Sequence, residues 1–143
     1  MRLGSRALVY STIVAGPVAL GVETLLRKSL FPPDFEELRS LLGPKVTPIA
    51  WALCGVAVVT IALGVALQDR IVAQQLRRTP PGIDPEVARA RASLGAFLLA
   101  ATIPQLPAIF ATFTFMVGAP LLPVLVCIGI STIGVFIQGV RFK

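Results

Sequence analysis

The feature that most constrains this chain is a run from Ala92 to Val140 that contains no Asp, Glu, Lys or Arg. With ~1.5 Å of rise per residue and about 20 apolar residues needed to cross a hydrocarbon layer, the run is too long for one span and suits two. Met116-Val117-Gly118-Ala119-Pro120-Leu121-Leu122-Pro123 gathers glycine and proline where a tight turn would divide it. The run therefore reads as a helical hairpin, one helix ending near Val117 and the next starting near Leu121.

The rest of the chain belongs in the same solvent. Of its 143 residues 55% are hydrophobic and only 14% charged, against about 25% charged in soluble domains. The net charge of +6 falls in short clusters beside apolar runs, the pattern of membrane topology rather than of a nucleic-acid-binding face. Membrane lipids are expected partners and nucleic acid is not. The chain has no His, so it lacks the commonest general base and metal ligand. Nothing in the sequence assembles a catalytic constellation, a metal site or a cofactor site, and no enzyme is expected.

The spacing predicts one all-α integral membrane domain over residues 1–143, a four-helix bundle with spans at about 7–26, 46–68, 92–117 and 121–140. Met1 to Val22 has the shape of a signal peptide, but its uncharged run is long for one and is read as a retained first helix, with Pro17 as a kink. Glu23, four residues before Arg27, is expected to form an interfacial ion pair. Between the first two spans, Asp34 reads as a helix cap, Glu37 as its capping-box partner and Gly43-Pro44 as the stop. These signals define a short interfacial helix at about 34–42, with Phe35, Leu38, Leu41 and Leu42 on one side. A partner-binding surface is the alternative for it. Tyr10 and Trp51 are placed as interfacial anchors, and Asp84-Pro85-Glu86 reads as a helix start.

Charge sets the orientation. With four spans, Arg2, Arg6, Arg70, Arg77, Arg78, Arg89, Arg91, Arg141 and Lys143 share one side, and Arg27, Lys28, Arg39 and Lys45 share the other. The positive-inside rule makes the first group cytoplasmic, with both termini inside. Arg77, Arg78, Arg89 and Arg91 flank the turn at residues 79–82 and are candidates for lipid headgroup contact.

The most informative stretch is Ala101-Thr-Ile-Pro-Gln-Leu-Pro-Ala-Ile-Phe110. Pro104 and Pro107 deprive the carbonyls of Ala100 and Ile103 of their helical donors, and Gln105 between them carries an amide that is costly to leave unpaired in hydrocarbon. Measured from the outer helix ends at ~1.5 Å per residue, Gln105 lies at roughly 18 Å, Thr12 and Thr60 at roughly 21 Å, and Ser131 with Thr132 at roughly 16 Å. These five side chains define an expected midplane polar layer. The competing reading is plain packing, in which each hydroxyl bonds its own helix and Gln105 ties one helix to its neighbour. Cys54 and Cys127 also share a depth, roughly 9 to 12 Å from the outer ends, which fits either mutual contact or two small packing residues.

This stretch resembles the ion-carrying helix of ATP synthase subunit c. It is more similar to uncharacterised small bacterial four-span proteins with an Ala-x-x-Glu-x-Pro-Ala-Ile stretch in the third helix. The matching residues are Ala101, Pro107, Ala108 and Ile109, over about a quarter of the chain, with Gln105 at the acid position. The resemblance implies a multi-pass protein of the bacterial inner membrane. Rotary ion transport is not implied, because an amide does not take up and release a proton near pH 7.

Small residues recur at Ala92, Ala96 and Ala100, at Ala62 and Ala66, and at Gly129, Gly134 and Gly139, where close helix approach is expected. The expected function is a structural or accessory subunit packing in a larger membrane complex or a homo-oligomer. The alternative is a small homo-oligomeric transporter or channel with a polar site around Gln105.

Overall fold

Prolines mark where the helices begin, because a residue without an N–H costs nothing in a first turn. In the computed structural model, residues 3–78, 80 and 82–140 are described, with side chains from residue 11 onward except at 12–14, 28 and 33. Among them all regular structure is helical: α1 (Leu3–Leu30), α2 (Pro33–Arg77), α3 (Pro85–Ala100), a 3₁₀ turn (Ile103–Gln105), α4 (Leu106–Val117) and α5 (Leu121–Val140). Three segments among the described residues are long and apolar enough to cross a membrane: Asp34–Arg77, Pro85–Val117 and Leu121–Val140.

The start of α3 follows its sequence signals. Asp84 accepts a hydrogen bond from the Glu86 amide at 3.0 Å, and Pro85 occupies the first turn. Glu23 and Arg27 are ion-paired as expected, the Arg27 Nε donating to Glu23 Oε1 at 2.9 Å. Thr24 is wholly buried and donates to the Leu20 carbonyl at 2.7 Å.

One expectation is corrected. The helix at 34–42 is not a separate interfacial element but the first part of α2, which runs unbroken through Gly43, Pro44 and Pro48 to Arg77. Asp34 lies within the first turn, and the residue at the cap position is Pro32. Tertiary contact overrides the local stop signal. Gly43 is where α2 passes the turn after α4: a Cβ there would stand 3.1 Å from the Gly118 carbonyl. Next to it, the Arg39 guanidinium lies over both the Phe31 and Phe115 rings, 4.7 Å from each centroid, and donates to the Phe115 carbonyl at 3.3 Å. A cation at the carbonyl end of α4 is favoured by the helix dipole as well as by the rings.

Close contacts fix the relative directions of the helices. Cys54 meets Pro123, Ile61 meets Gly134, and Gly64 meets Gln138, so α2 and α5 run the same way. Gln75 meets Gly95, Gly64 meets the Ala100 carbonyl, and Arg39 meets Gly118, so α3 and α4 run against α2. Gln105 beside Gly16, and Met116 beside Arg27, set α1 alongside the 3₁₀ turn and α4 in their direction. The buried core, Ala50, Cys54 and Ala57 with Ala108, Ala111, Phe115, Val124, Cys127 and Ile128, lies between α2, α4 and α5.

Gly118 closes α4 with φ 127°, and a Cβ there would lie 2.6 Å from the Arg39 carbonyl. Gly118→Ala is expected to cost about 2 kcal/mol or more from backbone strain plus this clash, seen as a lower thermal midpoint of the purified protein.

Candidate functional site

The two prolines produce a real interruption. Pro104 has no N–H for the Ala100 carbonyl, so α3 ends there, and the chain passes through two turn residues and the 3₁₀ turn before α4 resumes at Leu106. Pro104 and Pro107 are both buried. Pro104 packs with Ile61 around Gly134, where a Cβ would stand 2.5 Å from Ile61 Cγ1 and 3.2 Å from Pro104 Cβ. The missing side chain at Gly134 is what lets the break approach α5.

The residues expected to form a midplane layer have different surroundings. Gln105 is half-buried and turned toward α1, its Oε1 3.5 Å from the Cβ position of Gly16. Thr60 donates to the Ala57 carbonyl at 2.8 Å and Thr132 to the Ile128 carbonyl at 2.8 Å, each within its own helix. Ser131 is completely buried, and its hydroxyl has no hydrogen-bond partner. Thr12 lies on α1, and its side chain is outside the described residues.

The most demanding polar group lies elsewhere and was missed from the sequence. Gln138 on α5 is 0% exposed, and neither end of its amide has a hydrogen-bond partner. Its Nε2 fills the space that a Cβ on Gly64 would take, and the same point is 3.3 Å from the Ala100 carbonyl. The carbonyl freed by Pro104 and a buried amide donor are thus neighbours. Gln68, one turn after Gly64 and 5% exposed, donates from Nε2 to the Gln138 backbone carbonyl at 3.5 Å and leaves its Oε1 unpaired. Gln138 recurs seven residues after Ser131 on the buried side of α5, a spacing visible in the sequence. What the spacing did not reveal was the register that sets Gly64 opposite it.

The four arginines at the other end are solvent-exposed. Arg78 and Arg91 line a shallow cleft of about 230 Å³ with Gln75, Pro80, Ile83 and Ala88, and Arg89 lines a neighbouring one with Leu76 and Pro85. Arg77 ends α2. The clefts bring aliphatic and cationic groups together, the mixture an anionic headgroup with its acyl chain would contact. Compared with known proteins, the chain matches no protein family, no curated protein and no solved structure.

Replacing the buried amide by a similar apolar shape removes an unpaired polar group, so Gln138→Leu is expected to leave stability unchanged or raise it by roughly 1 kcal/mol. Gly64→Val, which displaces that amide against the Ala100 carbonyl, is expected to lower it. Thermal unfolding of both variants in one detergent checks the pair, and a large loss in Gln138→Leu would mean that the amide has a partner the protein needs.

Proposed function

We propose that this chain is a four-span protein of the bacterial cytoplasmic membrane, with both termini on the cytoplasmic face, that serves as a structural or accessory subunit. It would pack through α2 against a larger membrane complex or against further copies of itself. The observation that carries this reading is the uncovered face of α2. Only 22% of its most apolar window is buried, against 44% in each of the other two spanning segments. Ala52, Gly55, Val59, Ala62 and Ala66 are all exposed along it, at the alternating three- and four-residue spacing of a helix-packing seam. Gly55 has nothing within 4 Å of its Cβ position. The Ala92, Ala96 and Ala100 stripe, by contrast, is already buried within the chain, so the outward stripe is the one left for a neighbour. The resemblance of residues 101–110 to the uncharacterised four-span proteins is compatible with this role.

A second reading, a small homo-oligomeric transporter or channel, draws support from the unpaired atoms of Gln68, Ser131 and Gln138 near the break in the third span. A discontinuous membrane helix beside buried polar groups is a common setting for a midplane site.

Native-mass measurement after mild solubilisation separates them. The accessory role is expected to give co-purification in a large assembly or an α2-mediated oligomer that Gly55→Leu with Ala62→Leu dissociates while helicity is kept, and that Gln105→Leu leaves intact. Unchanged assembly in the α2 double variant would refute packing through this face.

A further inference from the structure

The core between α2 and α5 holds two thiols that neither reading of the function uses. Cys54 is 7% exposed and Cys127 0%. Because α2 and α5 run in the same direction, both reach the interface at one level. The Cys54 sulfur donates to the Pro123 carbonyl at 3.3 Å, and Pro123 stands one helical turn before Cys127. A helical side chain leans back over the turn that precedes it, so the Cys127 thiol covers the same spot, and both residues belong to the one buried cluster. Ala50 and Ala57, each 0% exposed, flank Cys54 one turn away on either side. Their small size permits the close backbone approach, with Cα atoms within about 7 Å, that a disulfide requires.

We propose that Cys54 and Cys127 are an oxidative modification site, closed into an intramolecular disulfide by a two-electron, two-proton acceptor that partitions into the bilayer, of the quinone or azodicarboxamide class. Both S–H bonds break and one S–S bond forms. The two electrons and two protons pass to the acceptor, giving the hydroquinone or the hydrazine, and a dithiol reverses the change. Burial makes the site selective: a polar oxidant confined to water does not reach the sulfurs, and a thiol on another molecule is kept from them by the packed helices. The bond would pin α2 to α5 on the opposite side of Ile61 and Gly134 from Gln138, leaving the exposed stripe of α2 free.

The test uses the full chain in lipid nanodiscs treated with diamide, then denatured and alkylated. The expected result is a monomer lighter by about 2 Da with no alkylatable thiol, restored to two by a reducing dithiol, and neither mass loss nor blocked alkylation of the remaining thiol in Cys54→Ala or Cys127→Ala. Two free thiols after treatment, a disulfide-linked dimer, or stepwise gain of oxygen would overturn the proposal. So would a single-cysteine variant that behaves like the parent. Because the readout is chemical, its failure would leave the packing role of α2 untouched.

Discussion

A peptide or amide group in hydrocarbon has no water to bond, and each such group left alone costs several kcal/mol. Most features of this chain follow from that constraint. Threonine hydroxyls inside the apolar segments bond their own helix, as Thr60, Thr112 and Thr132 do with carbonyls three or four residues earlier, while the Ser131 hydroxyl does not. Longer side chains turn toward neighbouring helices: Gln105 toward Gly16, and Gln138 toward Gly64. Large apolar side chains, among them Val58, Val59, Leu63, Phe113 and Phe136, take the outside. This is the reverse of the distribution expected around a core in water.

The interruption at residues 101–105 is where the constraint is hardest to meet. Proline removes a donor twice within four residues, and the 3₁₀ turn recovers part of the loss, the Leu106 amide donating to the Ile103 carbonyl that Pro107 leaves free. Glycines opposite the break take up the rest of the geometry. Gly134 admits Pro104, Gly16 admits Gln105, and Gly64 admits the amide of Gln138 near the freed Ala100 carbonyl. The break is therefore held by packing from three helices. The same small residues that permit this approach leave Ser131 and Gln138 with unpaired polar atoms inside, a cost that a packing role and a ligand site would meet in different ways.

Signals that depend only on neighbouring residues were readable in the sequence. Asp84-Pro85-Glu86, the Gly118 turn, the Glu23–Arg27 pair and the proline break are all local, and the structure has each of them. Gly43-Pro44 was misleading because a helix stop signal is weak. Arg39 over two aromatic rings, and Gly43 against Gly118, supply enough contact to carry α2 through it. Gln138 escaped notice because a glutamine near the end of an apolar run looks like one reaching for water. Only the parallel register of α2 and α5 reveals that it is sealed beside Gly64. The common level of Cys54 and Cys127 was legible as equal depth, and the same register sets the Cys54 sulfur against the Pro123 carbonyl, one turn before Cys127.

The measurement that bears most directly on the whole account is the solvent at the outer face of α2, read with spin labels at Val58, Val59 and Leu63 of the full chain in liposomes. Placement of this face in lipid requires strong relaxation by dissolved oxygen and little by a water-soluble nickel chelate at all three positions. Strong relaxation by the chelate there would put the face in water and contradict the inside-out distribution on which every other assignment rests.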